Sequence, residues 1–265
     1  MLNIKRIAIG LFLLIVATYL VMPLLLVTGV SFNRQPLMVF PPTDPSWRWY
    51  VAFFNDAGWT DSLWTSLKVA LGAASLAITI ALPIAWASWR KSSLLTKLLN
   101  VFGSMPIMLP QVVMAIVFLV YWSKLGMSGL ATSTVASHAV VFTAMPLAFI
   151  VIGFNSIDRM LIEAATTMGA TSSDVMRTIV LPLILPYVCS GFVFVFVSSL
   201  NEYIIAYLVA GFQVQTLPIK IFNNMRMGFQ PTMCVSAVLF LVLDLVAFSL
   251  IARVGNLPKL MGAKN

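Results

Sequence analysis

The chain has 265 residues, of which 60% are hydrophobic and 9% are charged, and its formal net charge is +8 at pH 7. Soluble domains carry about 25% charged residues, so this composition excludes a water-soluble globular fold and leaves room for roughly six membrane-crossing helices. The basic residues lie between apolar runs and do not cluster on one polar face. This distribution argues against a nucleic-acid partner and favours a role in membrane topology.

The first apolar run covers residues 7–31 and follows Lys5 and Arg6. A basic start before an apolar run is also typical of a signal peptide. This run is uncharged for about 24 residues, however, whereas the apolar core of a cleavable signal has about 7–15. The sequence therefore predicts an uncleaved first membrane span.

The first predicted outer loop, residues 33–61, is polar and aromatic. Tryptophan and tyrosine side chains are typical of the boundary between lipid and water. We interpret the loop as an interfacial belt with a short surface helix; contact with an external partner is the alternative.

Five further apolar runs predict the remaining spans, at residues 63–89, 98–123, 134–156, 184–210 and 232–252. Each is close to the length that crosses about 30 Å of hydrocarbon. Each is expected to be helical, because a backbone in lipid must satisfy its own hydrogen bonds. The predicted fold class is therefore all-α, a polytopic membrane protein in which residues 1–265 form a single transmembrane domain.

Three features interrupt this simple pattern. Pro106 and Pro110 predict a kink in the third span, which either serves packing or lines a moving pathway. His138, in the fourth span, is interpreted as a packing histidine with satisfied hydrogen bonds; a proton relay is the alternative. The outer loop at residues 211–231 contains two glycines and two prolines and is expected to be irregular.

The distribution of lysine and arginine predicts the orientation, since cytoplasmic loops carry the excess of these residues. With the N-terminus inside, the cytoplasmic pieces contain Lys5, Arg6, Arg90, Lys91, Lys97, Arg159, Arg177, Arg253, Lys259 and Lys264. The outer pieces contain Arg34, Arg48, Lys124, Lys220 and Arg226, with Lys68 near an outer boundary. Both termini are therefore predicted to lie in the cytoplasm.

The cytoplasmic loop at residues 157–182 is patterned as structure. One apolar stripe at helical spacing consists of Ile157, Leu161, Ala164, Ala165 and Met168. Gly169 follows, where a helix end favours a left-handed residue, and residues 171–174 resemble a capping box that starts a second helix. Pro182 marks the start of the fifth span. The loop is predicted to form two short helices joined by a tight turn.

The apolar stripe of this loop needs a partner, because a helical hairpin of this size is marginal alone. A helix lying flat on the lipid surface is one possibility. The polar face is poor in lysine and the stripe is rich in small residues, which favours a groove on another protein.

The same loop resembles a family signature, the "EAA" motif of binding-protein-dependent ABC importer permeases. The resemblance is carried by Glu163, Ala164, Ala165, Gly169, Ile179, Leu181 and Pro182. It implies the type I ABC importer permease fold and makes this loop the segment that docks in a cleft of a cytoplasmic ATPase. Glu163 would then meet a basic or polar group of the ATPase, and Gly169 would permit the sharp turn.

The resemblance also implies the partners. They are two cytoplasmic ATPase subunits, a second, non-identical permease and a periplasmic or extracellular solute-binding protein, in a bacterial cytoplasmic (inner) membrane. No G-x-x-x-x-G-K-[ST] stretch occurs in the sequence, so ATP is expected on the ATPase subunit. The chain itself is expected to be non-catalytic and to hold no cofactor. Cys189 and Cys234 lie in apolar runs without metal-ligand spacing, so neither a metal site nor a disulfide is expected.

Two acidic residues in the predicted spans are candidates for the solute pathway, because ionisable groups inside a membrane are costly and usually functional. Glu202 lies in the fifth span and Asp244 in the sixth. Acidic side chains would favour a cationic or amine-bearing solute, and Asn201, Tyr203 and Tyr207 would add hydrogen bonds or cation–π contacts. The alternatives are structural roles for both acids, for Asp244 at a subunit interface.

The stretches at residues 201–212, 216–222 and 231–232 resemble the spermidine/putrescine branch of these permeases. That branch tends to show an acidic pair where this chain has Asn201 and Glu202. Related branches that carry γ-aminobutyrate, opines, phosphonates or iron remain alternatives. A self-contained secondary transporter is disfavoured because no internal repeat is evident. A membrane enzyme is disfavoured because no His, Cys or acidic cluster could do chemistry.

Overall fold

The computed structural model describes residues 2–211 and 213–254. These residues form helices and contain no β-strand, which confirms the all-α prediction. The α-helices are α1 (Leu2–Ser31), α2 (Arg48–Asn55), α3 (Ala57–Arg90), α4 (Leu94–Ser104), α5 (Gln111–Lys124), α6 (Ala131–Phe142), α7 (Ala144–Asn155), α8 (Arg159–Thr167), α9 (Ser172–Val175), α10 (Leu181–Asn201), α11 (Ile204–Ala210), α12 (Leu217–Met227) and α13 (Pro231–Val254). Lys259 and Lys264, used above for the orientation, lie outside the described residues.

Four continuous helical segments of the described chain are long and apolar enough to cross a membrane, and two bent helix pairs raise the number to six. The continuous segments are Lys5–Ser31, Ala57–Arg90, Ser172–Asn201 and Pro231–Ala252. The bent pairs are α4 with α5 and α6 with α7. The predicted six spans thus match the helices in number if each bent pair is one span.

The third span is broken far more sharply than the predicted kink. α4 and α5 meet at 110°, with a short 3-10 helix, Met105–Met108, between them. Pro106 lies within that 3-10 helix, and Pro110 immediately precedes α5. Neither proline has an N–H to continue the helical ladder. The prolines therefore predicted the position of the break. The 110° angle means that α4 and α5 form a broken span or a re-entrant loop.

The fourth span bends by 48° at Thr143, between α6 and α7. Pro146 lies in the first turn of α7 and has no N–H to donate to the carbonyl of Phe142. Without this backbone hydrogen bond, α6 and α7 can diverge in direction.

The fifth span starts and ends earlier in the chain than predicted, since its continuous helical segment is Ser172–Asn201. α10 ends at Asn201, Glu202 has an extended backbone with ψ of 130°, and a separate helix, α11, follows from Ile204. The prediction of one continuous helix over residues 184–210 is therefore wrong. Apolar composition continues through the break, so periodicity did not mark it.

The described chain separates into two compact units. The first unit comprises residues 2–61 and 220–242. Its loop after α1 is held by Asn33, whose side chain donates to the carbonyls of Leu37 and Val39 at 2.9 and 2.8 Å. Trp49 Nε1 donates to the Asn33 carbonyl at 2.6 Å. The predicted short surface helix is present as α2.

The second unit comprises residues 62–219 and 243–254. One face of α3 is built from alanines that are fully buried, namely Ala70, Ala73, Ala74, Ala77, Ala81 and Ala85. Small side chains let helices approach closely in a membrane, where apolar burial gives little driving force between helices. Ala73, Ala74 and Ala77 contact a cluster from α5, α6, α10 and α11, whereas Ala81 and Ala85 contact a second cluster from α7 to α10.

The loop at residues 211–231, predicted to lie outside, is more regular than expected, since it contains the 11-residue helix α12. The N–H of Leu217, at its start, donates to Ser66 Oγ of α3 at 2.8 Å. A side chain 151 residues away in sequence thus satisfies one of the amides that a helix start leaves open. Local sequence could not show this partner.

Candidate functional site

The loop at residues 157–182, predicted to be cytoplasmic and functional, begins with a capped helix. Asp158 is the N-cap of α8, and its Oδ1 accepts a hydrogen bond from the Met160 N–H at 2.9 Å. An aspartate at this position satisfies an amide that the helix leaves open. The two-helix prediction for this loop corresponds to α8 and α9.

The turn after α8 has the geometry that Gly169 was predicted to provide. Gly169 has φ of 91°, a conformation that a residue with a Cβ adopts only at a cost. Its N–H donates to the Thr166 carbonyl, and the Ala170 N–H donates to the Ala165 carbonyl, both at 3.0 Å. This pair of bonds is a Schellman motif, so the turn is defined by hydrogen bonds.

The second short helix also starts as predicted. Thr171 Oγ1 accepts from the Asp174 N–H at 3.3 Å, and Asp174 Oδ2 accepts from the Thr171 N–H at 3.0 Å, which forms a capping box. A five-residue π-helical turn, Met176–Val180, then connects α9 to α10. Single π-helical turns often occur at functional positions. Ile179 lies in this turn, whereas Leu181 and Pro182 begin α10 and are exposed.

The loop belongs to the second unit, and its inner side packs against the rest of that unit. Ile157, Val175 and Val180 are buried in one cluster with α3, α7 and α10, and Ile162, Ala165 and Ile179 pack against it. These apolar contacts hold the hairpin in place, since helices this short are marginal by themselves.

The outer side of α8 is apolar and uncovered. Met160 is 72% exposed, Leu161 is 51% exposed and Met168 is 87% exposed. The predicted stripe is therefore divided: Ile157 and Ala165 face the second unit, while Leu161, Ala164 and Met168 are exposed. The single-face prediction is wrong for two residues: Ile157 precedes α8, which starts at Arg159, and Ala165 lies on the side of α8 that packs against the buried cluster.

Glu163 is exposed on α8 and lines a cavity of about 250 Å³ with Trp89, Arg90, Arg159 and Ile162. The hairpin thus presents Glu163, Arg159 and an apolar helix face, beside Arg90 at the end of α3. Sequence patterning missed Met160 as a contributor to the exposed face, although its spacing of four from Ala164 and eight from Met168 places it on the same side of a helix.

The carboxylate of Glu202, the first pathway candidate, contacts polar groups of the same chain. It is 5% exposed, and its carboxylate accepts from the N–H groups of Ile205 at 2.8 Å and Ala206 at 3.0 Å. Its Oε2 lies 3.0 Å from Nε2 of His138, which is fully buried. His138 Nδ1 shares a 2.7 Å hydrogen bond with Ser199 Oγ. Glu202 therefore caps α11 and joins it to α6.

Asp244, the second candidate, lies on α13 near Asn201. Asn201 Nδ2 donates to Asp244 Oδ2 at 3.3 Å and to the Val197 carbonyl at 2.9 Å. Asp244 Oδ1 is buried without a hydrogen-bond partner among the described residues. Asn201 is exposed and Asp244 is half-buried, so the pair lies partly at the surface, although the Asp244 Oδ1 atom itself is enclosed.

Tyr203 and Tyr207 lie one turn apart on the α11 segment, with ring centroids 5.4 Å apart and nearly parallel planes. Tyr207 lines a cavity of about 370 Å³ with residues of α5 and α11. The structure thus pairs Asn201 with Asp244 and Tyr203 with Tyr207, and directs Glu202 to His138. Among the described residues there is no His, Cys, Asp or Glu group that could hold a metal ion, and Cys189 and Cys234 are free thiols.

Comparison with known protein families identifies the family of this chain. The family described as "Binding-protein-dependent transport system inner membrane component" matches residues 77–256. The chain belongs to this family. The matched range covers α8, the Gly169 turn and the α10–α11 break.

Named relatives of this permease carry polyamines. It is 29% identical to the spermidine/putrescine transport system permease protein PotC of Haemophilus influenzae, over 92% of this chain and 96% of that protein. It is 30% identical to the putrescine transport system permease protein PotI of Escherichia coli, over 91% of this chain and 89% of that protein.

Solved structures with the same fold are also importer permeases. A bacterial ABC transporter that imports the acidic polysaccharide alginate aligns with a TM-score of 0.73 at 14% identity, covering 95% of this chain and 96% of that chain. The MetNI methionine ABC transporter aligns with a TM-score of 0.59 at 16% identity, covering 77% of this chain and 95% of that chain. The fold is that of an ABC importer permease, in a multi-pass inner membrane protein.

Proposed function

We propose that this permease forms part of the translocation pathway for a small cationic or amine-bearing solute and couples it to a cytoplasmic ATPase through α8. The observation that carries the coupling proposal is the uncovered apolar face of α8 beside a hydrogen-bonded turn. Glu163, Ala164, Ala165, Gly169, Ile179, Leu181 and Pro182 form the coupling segment. ATP binds to the ATPase subunits.

The exposed face of α8 supports docking on a protein. Met168, Leu161 and Ala164 recur at helical spacing, so their side chains lie on one side of the helix. The capped start and the Schellman turn fix that side relative to the second unit, so a displacement of the helix would be transmitted to α10 through the π-helical turn. Glu163 adds a charge beside the apolar face for a basic or polar group of the ATPase.

Replacing Met168 by Asp tests the coupling proposal. A charge at the centre of an apolar interface costs about 2–4 kcal/mol, so we expect Met168→Asp to reduce ATPase co-purification and solute uptake by at least tenfold. The matched control is Met227→Asp, because Met227 is 89% exposed at the end of α12. If both variants retain the ATPase as the native chain does, α8 is not the docking helix.

The proposed pathway uses Asn201, Tyr203, Tyr207 and Asp244, with Glu202 holding the α10–α11 break that presents them. A carboxylate oxygen at Asp244 favours a cation, and stacked tyrosine rings attract an ammonium group. Relatives named for spermidine and putrescine transport support a polyamine-like solute.

Uptake by Asp244→Asn tests the solute class. The amide keeps the shape but removes the negative charge, so we expect putrescine uptake at subsaturating concentration to fall about fivefold, equivalent to roughly 1 kcal/mol. Asp61→Asn, an exposed acid near the start of α3, is the control. Transport of γ-aminobutyrate or a sugar in place of putrescine, with Asp244→Asn silent, would overturn the cationic pathway.

The complete importer is proposed to contain two ATPase subunits, a second, non-identical permease and an external solute-binding protein, with both termini of this chain in the cytoplasm. The family name supports a binding protein. So does a related alginate transporter structure, described in complex with an alginate pentasaccharide-bound periplasmic protein.

A further inference from the structure

A cavity of about 410 Å³ lies between the end of α3, the inner side of α8 and the start of α9. Its lining includes Trp86, Arg90, Ile162, Ser173, Met176 and Val180. It adjoins the 250 Å³ cavity described above, since Trp89, Arg90 and Ile162 line both. The coupling segment proposed above includes Glu163, which lines the smaller cavity, but none of the residues that line the larger one.

The cavity lies where a membrane surface is expected. α3 runs for 34 residues and ends in two tryptophans followed by Arg90, a pattern typical of the boundary between lipid and water. Trp86 is exposed, while Trp89 stacks on Phe154 with ring centroids 5.2 Å apart. From this pattern we expect the opening to lie near the depth of lipid headgroups.

The cationic groups at the two adjoining cavities are Arg90, which lines both, and Arg159, which lines only the smaller one. The Arg90 guanidinium lies 5.2 Å from the centre of the Trp86 ring. No carboxylate lies within 4 Å of Arg90 or Arg159 in the described part of the chain. Glu163 lines the smaller cavity as one negative charge against these two positive charges. The local charge thus favours an anion.

The apolar wall narrows the choice of anion. Trp86, Ile162, Met176 and Val180 offer aromatic and aliphatic surface, which a free phosphate or a sugar phosphate would leave uncovered. A ligand with both a phosphate and a hydrocarbon chain would use both parts of the cavity. Basic pockets beside membrane helices on the cytoplasmic side bind anionic lipid headgroups.

We propose that the two adjoining cavities together bind an anionic phospholipid. Its phosphate would lie beside Arg90 and Arg159, which line the smaller cavity, and an acyl chain against Trp86 and Val180, which line the larger one. The bound lipid would connect the end of α3 to α8. The proposal rests on the proposed orientation only in placing α8 at the cytoplasmic surface.

Native mass spectrometry of the purified full chain tests this site, with phosphatidylglycerol and phosphatidylcholine as probes. We expect preferential retention of phosphatidylglycerol. Arg90→Gln combined with Arg159→Gln should weaken its binding about 30-fold, at roughly a factor of five per lost charge. Arg90→Lys with Arg159→Lys should preserve most of the binding and controls for misfolding. Arg177→Gln, an exposed arginine outside the lining of both cavities, should have no effect.

Equal binding of the two lipids, or native binding by the double glutamine variant, would overturn the proposal. Displacement of phosphatidylglycerol by inorganic phosphate would also overturn it, because it would show a simple anion site. The measurement needs no ATPase and no uptake, so failure of the coupling proposal would leave it unchanged.

Discussion

At the scale of single residues, Glu202 and His138 form a buried polar contact that joins the start of α11 to α6. The carboxylate satisfies two amides of α11 and meets a histidine from α6, all in the buried part of the second unit. Removing one partner of a buried pair leaves the other without compensation. This contact accounts for the tolerance of an acid at a buried, apolar position.

Replacing Glu202 by Ala should therefore destabilise the fold by about 3 kcal/mol, measured as thermal unfolding of the detergent-solubilised protein. Glu202→Gln should cost only about 1 kcal/mol, because its side-chain oxygen can still accept from the Ile205 amide. His138→Leu should show coupling with Glu202→Ala in a double-mutant cycle. An unchanged unfolding temperature for Glu202→Ala together with lost uptake would contradict this role and assign Glu202 to the solute.

The sequence located Glu202 as unusual but could not supply its partner. Intramembrane acids are identified readily from composition, whereas His138 lies 64 positions earlier and meets Glu202 only through tertiary packing. The same limit applies to Asp244 and Asn201, whose bond joins positions 43 residues apart. Local features were predictable for the opposite reason: the Gly169 turn and the Thr171 cap depend on neighbours within a few residues.

The hairpin of α8 and α9 is the element to which we assign the proposed coupling role. One side of the hairpin packs against the buried cluster and the opposite side carries the proposed docking face. The Gly169 turn fixes the angle between α8 and α9. The start of α10 at Leu181 was predictable from Pro182. The break after Asn201 was not, because Glu202 and Tyr203 interrupt a helix without glycine or proline.

Gly169→Ala tests the turn. A Cβ at positive φ costs about 1–2 kcal/mol, so we expect solute-stimulated ATP hydrolysis by the reconstituted complex to fall at least fivefold. Gly126→Ala is a matched control, because Gly126 also has positive φ, 69°, and open space around it. Equal loss of activity in both variants would show general destabilisation and contradict a specific role for the turn.

Across the whole molecule, helix number followed from hydropathy but helix shape did not. The 110° break between α4 and α5 involves the predicted prolines, yet proline alone does not set an angle. Packing against neighbouring helices decides it.

The orientation of the whole chain can be measured with an impermeant maleimide on intact cells, after Cys189 and Cys234 are replaced by Ser. Thr43→Cys, in the exposed loop before α2, should react at once. Ser92→Cys, exposed between α3 and α4, should react only after permeabilisation, because basic residues flank that loop inside the cell. The reverse labelling would place α8 outside and exclude its contact with an ATPase.

The alanine face of α3 has a mechanical consequence. Alanine has no side-chain rotamers, so helices that meet through it present smooth surfaces that do not interlock. Small sliding displacements of packed helices are one established form of domain motion. Along α3, such a shear would need little side-chain rearrangement, and a transporter that must open alternately on two sides could use the same contact in both states.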